Sequence, residues 1–365
     1  MKAAAEHLLH LACTLYAPFR HSGRPNEPPR VIAIVSNTAL GDTLLSTPVV
    51  ASARASFPSA RLLLVVHPRY QSLLTGLPGV DELLTYDGGY RQLLPTARAL
   101  RKAKVDTVLL AHSNAPQDIA LCVFSGAATL LKPVTRSPLR KFLSSQLPVH
   151  HGHIIETRCG LVRHLGGREI TSRLLLPTRY HGEPPPGFVR LRPPVIGLQL
   201  GAANRYKMWP LGYFTDLAKR LLDSWPDATL VLTGSPAEKG LARTFLSHLR
   251  DPRIVDHCGA YQVEELPWLL RQLNVLVTND TGPMHLAIAL GTPTVSLFGM
   301  TSSRLIGPYQ DPHLHIALQS PLEGAEAHLP KKRRSNRAMA AITVESVLAA
   351  VQQLLENRHA HPADH

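Results

Sequence analysis

The segment Val275-Leu276-Val277-Thr278-Asn279-Asp280-Thr281-Gly282-Pro283-Met284-His285-Leu286-Ala287 passes from an apolar run through a polar turn into an apolar helical pattern. In an open α/β sheet, ligands bind at that carboxyl edge of a strand. Amides at Thr281, Gly282 and the next residues would have no intrahelical acceptor, and the helix dipole adds positive character, which together suit a pyrophosphate. Gly282 lets a phosphate approach the main chain, and Pro283 and Met284 at the helix start are candidate donor-binding residues beside it. Asp280 has the chemistry to accept from sugar hydroxyls, and His285, one turn in, to donate to phosphate. The plain alternative makes Asp280 or Thr281 a helix cap and His285 a packed helix residue.

Three other segments repeat the strand-to-helix passage. Asn204-Arg205-Tyr206-Lys207-Met208-Trp209-Pro210 follows an apolar strand, and Lys207 there would meet a phosphate as a point charge, against the alternative of a solvated surface lysine. Leu232-Thr233-Gly234-Ser235-Pro236-Ala237-Glu238 places Glu238 where acidic residues of dinucleotide folds take ribose hydroxyls, or where a helix simply has an acidic first turn. Thr38 to Pro48 puts Asp42 near a helix start, facing the expected interdomain cleft, as a cap or as a general base on an acceptor hydroxyl. The sequence contains no Walker loop, no Gly-x-Gly-x-x-Gly, no His-Glu-x-x-His and no Asp-x-Asp pair for a divalent ion. His150, His151 and His153 stand without a cysteine or acidic partner, which favours a loop or helix-start role over a metal site. The expectation is therefore no metal, with leaving-group charge met by Lys207 and helix dipoles.

The elements that must hold these residues follow from periodicity. Val31–Val35, Arg61–Val66 and Asp106–Leu110 are short apolar runs of the kind expected for strands covered on both faces, and they alternate with helical patterns at Asp42–Ala55 and Tyr90–Ala103. The segment from Lys132 to His153 is loop-rich, and a helix returns at Ile154–Leu165. Beyond the prolines at 184–186 and 193–194 the logic restarts, with strands at Val195–Leu200, Thr229–Leu232, Val275–Val277 and Thr294–Leu297 and helices at Tyr213–Leu222 and Met284–Leu290. The expected division is an N-terminal extension at 1–30, a first α/β domain at 31–190, a second at 191–330, and a basic loop with a final helix at 331–365. Leu8, Leu11, Ala12 and Leu15 share a helical face that reads as a packing helix, or as one resting on a membrane surface with Lys2 and Arg20 nearby, before Pro25, Pro28 and Pro29 stop it.

Lys and Arg outnumber Asp and Glu by 39 to 26, giving a net charge of +13 that favours anionic partners. Nucleic acid is disfavoured as that partner, since no aromatic-basic platform or recognition helix appears. The four cysteines form no Cys-x-x-Cys pair, which fits a reducing, cytoplasmic compartment. No apolar run approaches the ~20 residues of a membrane-spanning helix.

Gly41-Asp42-Thr43-Leu44-Leu45-Ser46-Thr47-Pro48, Lys207-Met208-Trp209-Pro210, Asn279 to Ala287, Gly291-Thr292-Pro293 and Phe298-Gly299 together resemble glycosyltransferase family 9, the lipopolysaccharide heptosyltransferases. The resemblance runs from about Val31 to Tyr309. It implies an α/β GT-B fold, two Rossmann-like domains with parallel sheets facing a central cleft, and an inverting, metal-independent transfer of heptose from ADP-heptose to a lipopolysaccharide inner-core acceptor. Asp42 then matches the general base, Lys207 the lysine on the donor phosphates, Glu238 the acid on the ribose, and Asp280, Thr281, Gly282 and His285 the group on sugar and diphosphate. Arg136, Arg140 and Lys141 are candidates for the anionic glycolipid acceptor, and the implied location is cytoplasmic, peripheral on the inner membrane. Ala202 and Ala203 depart from the pattern, standing where hydroxyl side chains are expected near the phosphates. Another nucleotide-sugar donor, or a sugar-nucleotide epimerase of the same architecture, is the alternative.

Overall fold

Among the described residues every strand lies parallel to its neighbours, because each apolar run is followed by a crossover that returns it in the same direction. The computed structural model describes residues 2–19, 27–113, 115–188 and 190–360. Arg20 and Pro25 lie outside the described residues, as does the side chain of Lys2.

The first unit, Met1–Thr178, begins with α1 (Lys2–Tyr16) and continues β1 (Val31–Ser36), α2 (Leu40–Leu44), α3 (Thr47–Ser56), β2 (Arg61–Val66), α4 (Gln71–Leu74) and β3 (Glu82–Thr85). It goes on through α5 (Tyr90–Lys102), β4 (Thr107–His112), α6 (Pro116–Phe124), β5 (Thr129–Pro133), β6 (Ser145–Leu147) and α7 (Ile154–His164). The second unit, Arg179–His365, runs β7 (Val195–Gln199), α8 (Leu211–Ser224), β8 (Thr229–Thr233), α9 (Lys239–His248), β9 (Ile254–Asp256), α10 (Leu266–Arg271) and β10 (Val275–Asn279). It ends α11 (Gly282–Leu290), β11 (Thr294–Phe298), α12 (Ser303–Ile306), β12 (His315–Gln319), α13 (Arg337–Ala340) and α14 (Val344–Ala360).

The two sheets have one topology. Their orders are β3-β2-β1-β4-β5-β6 and β12-β11-β10-β7-β8-β9. In each, the chain winds outward one way from the first strand and then returns to wind the other way. The switch points therefore fall between β1 and β4 and between β7 and β10, and the crevice at the carboxyl ends of such a strand pair is where these folds bind ligands.

The expected Asp42–Ala55 helix is two helices. Pro48 has no amide to give the Leu44 carbonyl, which instead accepts from Thr47 Oγ1 at 2.7 Å, and the chain turns there. The loop-rich segment after Lys132 contains the short strand β6, and the helix of Pro138–Phe142 before it is a 3-10 turn.

The division between units falls ahead of the proline-dense stretch, because that stretch is packed on the second unit. Tyr180 meets Trp268 at 5.4 Å between ring centroids, and Gln272 Oε1 accepts from the amide of Leu191 at 2.8 Å. The N-terminal helix is likewise part of the first core through Leu9 and Cys13, and α14 part of the second through Val347, Val351 and Leu354.

Candidate active site

In the first unit, β1 ends in Ser36 and the chain enters α2 with Asp42 in its first turn, where a carboxylate is favoured by the helix dipole. Thr43 Oγ1 donates back to the carbonyl of Ser36 at 3.2 Å, fixing the turn on the strand end. Asp42 is one-third exposed, and its Oδ1 is held by Arg158 Nη2 at 2.9 Å and lies 3.4 Å from His112 Nε2. Arg158 is fully buried in the middle of α7, and its Nη1 donates to the Asp42 carbonyl and, at 2.9 Å, to Ser46 Oγ. One guanidinium thus fixes both the backbone and the side chain of Asp42.

His112 closes β4 at the same switch point, with Nδ1 2.7 Å from Thr38 Oγ1. Burial, reinforced by the nearby Arg158 cation, pushes the imidazole down to about 4 despite the Asp42 carboxylate, so the ring is neutral at neutral pH. Burial also lowers the proton affinity of Arg158, which Asp42 opposes.

In the second unit Asn279, wholly buried at the end of β10, ties the site together. Its amide donates to the carbonyls of Gln199, Leu200 and Gly201, each at 3.2 Å, and its Oδ1 accepts from the amide of Trp209 at 2.9 Å. The exit loop of β7 is thereby fixed to the end of β10, and Lys207 is delivered to Asp280, Nζ to Oδ2 at 2.5 Å. Trp209 is buried, its indole donating to the Ile342 carbonyl, so this part of the motif is framework.

Thr281 takes the N-cap position of α11 without a side-chain capping bond. It is extended there, and its hydroxyl lies 3.3 Å from Thr278 Oγ1. Gly282 opens α11 and Pro283 follows within its first turn, leaving the first-turn amides of Gly282 and Met284 without intrahelical acceptors. Met284 is wholly buried, so its side chain packs and only its amide is placed for a ligand; His285 is also buried.

Glu238 caps the helix start and still reaches the end of β7. Its Oε2 accepts from the Ser235 amide at 2.6 Å as a capping contact, while Oε1 lies over Gly201, where a Cβ would come within 1.6 Å of it. Gly201 is what allows this carboxylate to reach the β7 end, beside the Lys207–Asp280 loop.

Arg136 lies in the extended segment after β5, and Arg140 and Lys141 ride on the Pro138–Phe142 turn, which packs against α1 and α6. His153 caps α7, its Nδ1 accepting from the Ile155 amide at 3.3 Å. Among the described residues no group of three or more His, Cys, Asp or Glu is arranged to hold a metal ion. Two residues of the Asp42 cluster were not singled out from sequence. His112 carries a positional signal, since it ends an apolar strand at the carboxyl edge, and Arg158 a compositional one, as a cation among the apolar residues of α7.

Two doubly wound parallel sheets, one presenting an anchored carboxylate at its switch point and the other an anion-suited helix start with a lysine, give the chain the fold of solved GT-B heptosyltransferases. Residues 179–336, within the second unit, match the model of Glycosyltransferase family 9 (heptosyltransferase). The chain is 20% identical over 339 residues to a lipopolysaccharide heptosyltransferase 3 of Escherichia coli, covering 86% of this chain and 96% of that protein. It is 22% identical over 333 residues to a lipooligosaccharide heptosyltransferase 2 of Campylobacter jejuni, with 88% and 97% covered. Among solved structures, the E. coli ADP-heptose lps heptosyltransferase II superposes with a TM-score of 0.71 at 21% identity over 90% of this chain and 99% of that one. A glycosyl transferase family 9 protein from Veillonella parvula gives 0.73 at 21% identity, over 90% and 97%.

Proposed function

We propose that the chain transfers heptose from ADP-heptose to a lipopolysaccharide inner-core acceptor, with inversion, at the cytoplasmic face of the inner membrane. The observation that carries this reading is the matched pair of switch-point clusters: Asp42 held by Arg158 in one unit, and Lys207, Asp280, Glu238 and the start of α11 in the other. Related heptosyltransferases solved with ADP, and with an ADP-linked fluoro heptose, supply the donor's chemistry.

On this reading the second unit takes the donor. Lys207 and the first amides of α11 meet the diphosphate, Glu238 the ribose, and Asp280 the sugar. Lys207 and Asp280 neutralise each other before the donor arrives, so the diphosphate shares a cation that is already positioned. Asp42 accepts the proton of the acceptor hydroxyl as its oxygen bonds the anomeric carbon, and the bond from that carbon to the phosphate oxygen breaks to release ADP. A carboxylate anchored on Oδ1 by an arginine is kept aimed, and the neighbouring cation favours its charged form. Leaving-group charge is met by Lys207 and the helix dipole, so chelator treatment is expected to leave the rate unchanged.

Incubation with ADP-heptose and heptose-deficient lipopolysaccharide tests the reading. ADP release together with a mass gain of one heptose on the acceptor is the expected result. Release with another nucleotide sugar in place of ADP-heptose would reassign the donor, and isomerisation without transfer would favour an epimerase.

A further inference from the structure

Helix α1 is apolar on two faces, and the fold uses only one. Leu9 and Cys13 are buried in the first core, while Leu8, Leu11 and Leu15 point away from it, 65%, 51% and 66% exposed. Leu94 on α5 is 50% exposed beside them, and an open groove of about 540 Å3 runs between the two helices, lined by Leu15, Tyr16, Leu94, Arg98 and Arg101 among others. Of the ten large apolar side chains exposed among the described residues, these four and Tyr90 fall on α1 and α5. Such a concentration marks an interaction surface.

The rim is cationic. Arg91, Arg98, Arg101 and Lys102 are exposed on α5, and Arg140 and Lys141 on the turn that packs against α1 from the other side, where His10 meets Phe142 at 5.7 Å between rings. Arg101 is held in place by Tyr16, donating to its hydroxyl and lying 5.4 Å from the ring centre. Glu6 is the one acidic residue in these three segments.

We propose that this face, the leucine stripe of α1 with Leu94 and the flanking arginines and lysines, docks on an anionic phospholipid bilayer surface. Leucines set among basic side chains bury in the acyl boundary while the cations meet lipid phosphates. A second copy of the chain is the poorer occupant, because a two-fold contact through this patch would set the same cations against one another. Arg140 and Lys141 thereby gain a role other than acceptor recognition. The proposal stands on this face alone and its test needs no sugar nucleotide.

The test is co-sedimentation of the full chain with vesicles of phosphatidylglycerol and phosphatidylethanolamine, against phosphatidylcholine alone, at low and high salt. Wild type is expected on the anionic vesicles at least tenfold more tightly than on the neutral ones. The double variant Leu11→Asp with Leu15→Asp, altered only at exposed positions, should lose about tenfold or more. Arg98→Glu with Lys102→Glu should lose roughly 25-fold or more, at about fivefold per basic side chain near the surface, together with most of the salt dependence. Unchanged thermal unfolding of both variants would tie the losses to the surface. No binding to anionic vesicles, equal binding to both compositions, or undiminished binding in both variants would overturn the proposal. So would a dimer in solution that the leucine variant abolishes while vesicles are ignored.

Discussion

Asp42 keeps one carboxylate oxygen against a guanidinium that water does not reach. That contact sets apart what two substitutions should do. Asp42→Asn keeps the shape and removes the base, so kcat is expected to fall by roughly 10^2 to 10^4 with ADP affinity unchanged by calorimetry. A parallel loss of ADP affinity would contradict the separate roles proposed for the two units. Arg158→Ala instead strips the partner from a largely buried pair and should cost about 3 to 5 kcal/mol in denaturant unfolding, as well as activity. His112 gives a pH signature at the same place. The unfolded ring takes a proton near pH 6.5 and the folded one only near 4. Between those values the unfolded state binds more protons, so this contribution to stability is complete above pH 6.5 and is lost as the pH falls towards 4. Unfolding followed from pH 8 to 4.5 should show that decline, and His112→Gln should flatten it; an unaltered slope would show that the ring is not the titrating group. Asp42 was legible from sequence because it stands in a recognisable motif. Arg158 was not, since its partner is 116 residues away and only folding brings the two together.

The elements found from sequence are the central strands, and those missed are mostly edges. β1, β2, β4, β7, β8, β10 and β11 are nearly continuous apolar runs, as burial on both faces requires. β3 and β6 end one sheet and β12 and β9 the other, and their shorter, more mixed sequences carry no such signal. Pro133 and Lys132 hid β5 in the same way, though it lies inside the sheet. The residues proposed to take the donor stood out as motifs because each sits where a central strand meets a helix. The bonds that aim them, such as Asn279 to three carbonyls of the neighbouring loop, are long-range and leave no local pattern. Gly201 is the clearest example at this scale, since nothing local to its own loop requires a glycine, while the Glu238 carboxylate lying over it does. Gly201→Ala should push that carboxylate outward without unfolding the unit, because the clash is with a flexible side chain. ADP affinity is then expected to fall as far as in Glu238→Ala, with the double variant no weaker than either single one. Additive losses in the cycle would mean that Glu238 does not act through this position.

At the scale of the whole molecule, two sheets of identical topology carry different chemistry, and the family match covers residues 179–336 of the second unit. Each unit also has its own buried core, one including Val35, Leu110 and Leu9 and the other Leu198, Val277 and Val351. A ligand that binds one unit should stabilise that unit's own opening reactions, by about 2.7 kcal/mol at a hundredfold excess over Kd. Hydrogen exchange of the full chain with and without ADP reads this residue by residue. Protection is expected around Leu200–Lys207, Thr233–Glu238 and Asn279–His285, the segments joined by the Asn279 bonds, the Lys207–Asp280 pair and the Glu238–Gly201 contact. The Ser36–Ser46 turn should exchange at the same rate in both conditions, because Asp42 is assigned to the acceptor and ADP carries none. Protection appearing there instead, with the second unit unchanged, would move the nucleotide to the first unit and reverse the assignment of donor and acceptor.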